Sequence, residues 1–144
     1  MVGGGMRQAG VLAAAGLVAL SDGPDGRIDR LAEDHANARR LGEALAELDG
    51  ITSAGGTTQP TPGRFDPGRV ATNFVVFKVA GDRAAFLAAL RARNVLMVEY
   101  PHGQVRAVTH QDVAASDIDT VIDATRDALA ETATRRTASA GVTA

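Results

Sequence analysis

Residues 95–110 read VLMVEYPHGQVRAVTH. Two apolar, β-branched runs, VLMVEY (Val95–Tyr100) and QVRAVTH (Gln104–His110), flank Pro101-His102-Gly103, which predicts two strands joined by a turn. Side chains alternate across a strand, so Val105 and Ala107 share one face of the second run while Arg106 and Val108 share the other. An arginine in a hydrophobic strand is costly unless its guanidinium reaches an anion. A carboxylate satisfies its planar fork with two parallel hydrogen bonds. Arg106 is therefore the candidate anion-binding residue. The plainer alternative is a strand-edge ion pair with Glu99 on the neighbouring strand.

Working outward, Asp82 can cap a helix running through Asn94, with Phe86, Leu87 and Leu90 facing inward. TNFVVFKV (Thr72–Val79) is β-branched and aromatic and predicts a buried strand. Ser116 can cap a last helix carrying Ile118, Val121, Ile122, Thr125 and Leu129 on one face, with a polar, frayed tail after Thr132. Further upstream, Ile28, Leu31, His35, Ala38, Leu41, Leu45 and Leu48 recur at steps of three and four, an amphipathic helix ending at Asp49-Gly50. The Thr52–Arg69 segment, rich in Gly, Pro and Thr, predicts a mobile loop. Ahead of all this, an Ala- and Leu-rich helix over residues 5–21 stops at SDGPDG (Ser21–Gly26). The expected class is α+β: N-terminal linking helices (1–26), then a small sheet covered by helices on one face (27–132), then a flexible tail (133–144).

Composition narrows the function. The chain of 144 residues suits one domain, and aromatics make up only 3%, so the core must be built from Ala, Val, Leu and Ile. A formal net charge of -2 removes the electrostatic case for nucleic acid. With no cysteine there are no disulfides or thiolate metal sites, and nothing demands an oxidising compartment. No apolar run approaches the roughly 20 residues that span a bilayer. Lys78 is the only lysine.

Other candidates are weaker. Gly3, Gly4 and Gly5 run into a helix and could take an anion at its N-terminus, with Arg7 beside them. They lack the GK[ST] of a P-loop and any preceding strand, so an ordinary flexible helix entry is the simpler reading. His35, His102 and His110 show no zinc spacing, and no metal is expected. His35 falls on or near an apolar stripe and reads as a packing residue. His110 and Asp112, in THQD, read as strand-end and turn hydrogen-bonders rather than an acid–base pair.

Four strings occur in order: GGGMRQAGVLAAAG, RLAEDHANARRL, TNFVVF and VRAVTHQDV. Together they resemble the C-terminal part of the low-specificity threonine aldolases, in the β-eliminating-lyase group of fold-type I pyridoxal phosphate enzymes. The resemblance runs from about Gly3 to about Leu129, with Thr57–Arg69 like an insertion. It implies that the first helix is a buried link from a large cofactor domain, not a secretory signal, and that Met1 only marks where this chain starts. It also implies that Arg106 corresponds to the small-domain arginine holding the substrate α-carboxylate. Arg7 with Gly3, Gly4 and Gly5 would lie near the cofactor phosphate, across a subunit interface of a homo-oligomer.

The family's Schiff-base lysine would lie upstream of the glycines, and Lys78 does not match it. The resemblance thus implies a cytoplasmic lyase that, when complete, cleaves L-threonine or allo-threonine to glycine and acetaldehyde with pyridoxal phosphate. The chain alone is expected to hold no catalytic lysine and no stably bound cofactor. Two other readings stand beside it: a non-catalytic α+β module that binds an amino-acid carboxylate through Arg106, and a secreted small domain with a cleaved N-terminus.

Overall fold

The computed structural model describes residues 5–21, 27–54 and 64–140, with side chains through residue 134. Gly3, Gly4, most of the SDGPDG breaker and the middle of the Gly/Pro/Thr-rich segment lie outside the described residues. The elements are α1 (Ala9–Leu20), α2 (Arg27–Ala46), β1 (Ile51–Ser53), β2 (Phe74–Val79), α3 (Arg83–Arg91), β3 (Val98–Tyr100), β4 (Gln104–Val108) and α4 (Ala115–Ala140). The class is α+β, as expected. No helix among the described residues is long and apolar enough to cross a membrane.

The four strands form one antiparallel sheet in the order β1-β2-β4-β3. Period-two alternation sends Val75 and Phe77 of β2, with Val105 and Ala107 of β4, into a core shared with Ala38, Leu41 and Leu45 of α2. Phe86 and Leu90 of α3, and Ile118 and Ala128 of α4, complete it. Phe77 and Phe86 meet edge to face at 6.4 Å, the arrangement that aromatic quadrupoles favour. Each such buried side chain contributes about 1.5–3 kcal/mol.

Local chemistry sets the helix ends. Asp82 caps α3, its Oδ1 accepting from the N–H groups of Ala84 and Ala85 at 2.9 and 3.1 Å. Asn94 takes φ 60° after α3 and ends the helical path, a conformation asparagine tolerates better than most residues. Ser116 lies inside α4 rather than capping it. The Asp117 carboxylate instead accepts from the Ala114 N–H at 2.9 Å. The helical backbone of α4 continues to Ala140, past the Thr132 point where fraying was expected.

Two further expectations change. Thr52–Arg69 is not loop throughout: Ile51–Ser53 pairs with β2, and Pro67–Arg69 is a 3-10 turn. Phe65 and Val70 are buried beside α2, and the Ser53 hydroxyl accepts from the Asp66 N–H at 2.9 Å, so both ends of the segment are fastened. Helix α2 buries the predicted Ala38, Leu41 and Leu45 but departs from the predicted stripe in its N-terminal half. Ile28, Leu31 and His35 are exposed, whereas Asp34 and Asn37 are buried. The segment after β4 fastens to this side of the helix. Asn37 donates to the Val113 carbonyl at 3.0 Å, and the Thr109 hydroxyl donates to the Asp34 carbonyl at 2.6 Å.

Helix α1 differs most from its expected burial. None of its residues is buried, and Val11, Leu12, Leu17 and Leu20 all face outward. Its main neighbour is α2.

Candidate functional site

The helices cover one face of the sheet, and the site lies on the other. Register pairs Val76 with Arg106 and Phe74 with Val108 on one side of β4; on the other it pairs Val98 with Arg106 and Tyr100 with Gln104. Phe74, Val76, Val98, Tyr100, Arg106 and Val108 therefore share the uncovered face. Phe74, Val98, Tyr100 and Val108 are all exposed. The uncovered face is thus an exposed apolar patch with one cation at its centre.

Arg106 sits on an inner strand, not at an edge, so its stem is hemmed by β2 and β3. Its Nε is buried and has no hydrogen-bond partner among the described residues. Its Cζ lies over the Phe74 ring at 5.5 Å and over the Tyr100 ring at 5.3 Å from the centroids. Each contact is worth about 0.5–1 kcal/mol where solvent reaches it. The alternative of a Glu99 ion pair fails on geometry. Glu99 stands opposite Val105 and so faces the helix side, where Arg83 of α3 holds it at 3.0 Å. Arg106 keeps its charge and its in-plane donors uncommitted to a carboxylate on β3.

The remaining candidates fall elsewhere. Gly5 and Arg7 are exposed in the residues leading into α1, and a Cβ at Gly5 would meet nothing within 4 Å. No hydrogen bond or ion pair among the described residues links Arg7 to the surroundings of Arg106. His110 Nδ1 accepts from the Asp112 N–H at 3.3 Å, which makes it a turn hydrogen-bonder, as expected. His102 occupies the β3–β4 turn at φ 62° and is exposed. No cluster of metal-ligating side chains occurs among the described residues.

Lys78 also projects from the uncovered face of β2, with Thr52 opposite it and Val76 two residues back. A pyridoxal phosphate site needs an amine, an acid against the ring nitrogen and several donors for the phosphate. The neighbours of Lys78 supply neither the acid nor the phosphate donors, so Lys78 and its surroundings do not fit that cofactor. Arg106, by contrast, presents a guanidinium whose Nε has no partner among the described residues, a group able to pair with an anion.

Phe74 and Tyr100 were not singled out from the sequence. The signal that could have found them is diagonal pairing, since residues two positions off the direct cross-strand partner are within reach of long side chains.

Comparison with known proteins gives similarity in sequence. The family model described as Beta-eliminating lyase matches residues 1–62. The Low specificity L-threonine aldolase of Escherichia coli (strain K12) is 40% identical over 119 residues, 82% of this chain. In sequence, this chain is similar to threonine aldolases over most of its own length. The Low-specificity L-threonine aldolase 1 of Arabidopsis thaliana is 31% identical over 122 residues, 81% of this chain. The chain spans 29% of the length of each of these threonine aldolases.

Proposed function

We propose that this chain is the carboxylate-binding, C-terminal part of a pyridoxal phosphate-dependent lyase that cleaves L-threonine or allo-threonine to glycine and acetaldehyde. The observation that carries the reading is Arg106: a cation on an inner strand, with an unpartnered Nε, at the centre of an uncovered apolar face. Its guanidinium takes the substrate carboxylate as a two-pronged partner and fixes the direction of the Cα–Cβ bond, a positioning role. Pyridoxal phosphate would supply the electron sink for breaking that bond, and its Schiff-base amine would come from a residue other than Lys78.

The reading extends to a homo-oligomer in which Arg7 and Gly3, Gly4 and Gly5 approach the cofactor phosphate of a neighbouring subunit. The exposed, apolar α1 that follows them supports a protein partner at that end. A cysteine-free chain is in keeping with a cytoplasmic location.

The test is steady-state kinetics on the whole protein carrying these residues. Arg106→Ala and Arg106→Lys should lower kcat/KM for threonine at least tens-fold, since losing a buried charged partner costs about 2–5 kcal/mol. The lysine variant should also be impaired because an ammonium cannot reproduce the fork. The cofactor absorbance should be unchanged. Near-wild-type turnover in Arg106→Ala would refute the reading. Threonine binding without any turnover, abolished by Arg106→Ala, would favour a non-catalytic amino-acid-binding module instead.

A further inference from the structure

Arg106 has two aromatic neighbours that carboxylate binding does not itself require. Phe74 and Tyr100 reach it from opposite diagonals. Phe74, on β2, stands across from Val108, while Tyr100, on β3, stands across from Gln104. The Arg106 Cζ is 5.5 Å from one ring centroid and 5.3 Å from the other. A carboxylate neighbour would consume the guanidinium's N–H donors, whereas a ring face engages its charge and leaves those donors available. The buried Nε without a partner shows that the surroundings hold the group by packing and not by hydrogen bonds at that atom.

We infer that Phe74 and Tyr100 are positioning residues that clamp the Arg106 guanidinium in readiness for a substrate carboxylate. The inference rests on the carboxylate-binding reading of Arg106. A long side chain free to sample many rotamers gives them up on binding, and one already held by two rings loses less. Neither ring takes part in bond cleavage. The clamp supports the carboxylate contact alike in the bound substrate and in the transition state, so its loss appears in KM and leaves kcat little changed. Tyr100 acts through its ring rather than its hydroxyl.

The experiment compares Phe74→Met, Tyr100→Met and Tyr100→Phe in the whole protein. Methionine keeps much of the volume without the ring, and both positions are exposed, so the sheet should tolerate it. Each methionine variant should raise KM for threonine about three- to tenfold, with kcat within about twofold of wild type. Tyr100→Phe, which keeps the ring, should return KM to the wild-type value. Placed on Arg106→Ala, neither methionine change should raise KM further, because the rings act only through that arginine.

A second measurement needs no ring substitution. In protein labelled with 15N-arginine, the Arg106 Nε–H proton should lie upfield of free arginine and exchange slowly with water. Wild-type KM in both methionine variants, alongside a raised KM in Arg106→Ala, would overturn the clamp and leave the carboxylate reading standing. A wild-type KM in Arg106→Ala would overturn both. An Nε–H signal at the free-arginine position would overturn the clamp by itself.

Discussion

Arg83 holds Glu99 at 3.0 Å across the helix-covered side of the sheet, and the same guanidinium donates to the Gln104 carbonyl at 3.3 Å. One side chain on α3 thus fastens both strands of the β3–β4 hairpin beside its turn. The turn itself is tight, with His102 and Gly103 both at positive φ. Arg83→Ala should destabilise the fold by about 1–2 kcal/mol, combining a solvent-screened ion pair with a carbonyl hydrogen bond. Glu99→Gln should cost less than about 1 kcal/mol, and that cost should shrink as salt rises. Urea unfolding at low and high salt measures both. An Arg83→Ala protein as stable as wild type would remove Arg83 from this role.

Gly42 makes an opposite forecast from what helix propensity suggests. Replacing a mid-helix glycine with alanine ordinarily stabilises by about 0.5–1 kcal/mol. A Cβ at Gly42, however, would stand 2.8 Å from Val70 Cγ2 and 3.4 Å from Phe65 Cε1, both on the segment fastened against α2. Overpacking of this kind costs about 1–3 kcal/mol, so Gly42→Ala should lower Tm. Gly16→Ala, with nothing within 4 Å of its Cβ, should hold or raise it. Thermal melts of the two variants side by side decide the matter, and a higher Tm for Gly42→Ala would contradict the packing described.

Thr109 ties the end of β4 to two distant segments. Its hydroxyl donates to the Asp34 carbonyl at 2.6 Å, and its carbonyl accepts from Asn73 Nδ2 at 2.8 Å. Thr109→Val keeps the shape and removes one of the donors to the Asp34 carbonyl, at a cost of about 0.5–1.5 kcal/mol. Equilibrium unfolding should show the loss with an unchanged m-value. A neutral result would mean that another donor replaces the hydroxyl.

The hairpin and its arginine were legible because a period of two needs only a few residues to declare itself. In QVRAVTH a single charge among β-branched neighbours was visible without any structure. Strand β1 was not legible: Ile51–Ser53 is three residues at the margin of a Gly/Thr-rich stretch, and only its pairing with Phe77–Val79 makes it a strand. The departure in the N-terminal half of α2 was hidden for a related reason. Asp34 and Asn37 look like solvent-facing residues until the segment around Thr109 and Val113, some 75 positions away, packs over them, Thr109 bonding the Asp34 main-chain carbonyl and Val113 accepting from the Asn37 amide. Ile28 and Leu31 could then turn outward. The alternative pairing of Glu99 with Arg106 stayed open in the sequence because spacing does not reveal that Arg83 reaches Glu99 from a helix on the other face. The aromatic neighbours of Arg106 depended on a register that only the folded sheet defines.

The central claim is that Arg106 reads the carboxylate of an amino-acid substrate, and it is tested most directly by removing that group from the substrate. L-threonine and its methyl ester should be compared as substrates of the whole protein, in wild type and in Arg106→Ala. The wild type should prefer the free acid by at least tens-fold in kcat/KM, because only a carboxylate pairs with the charged fork. Arg106→Ala should turn over both poorly, with the preference gone. A preference that survives intact in Arg106→Ala would contradict the account, since the carboxylate would then be held by some other residue.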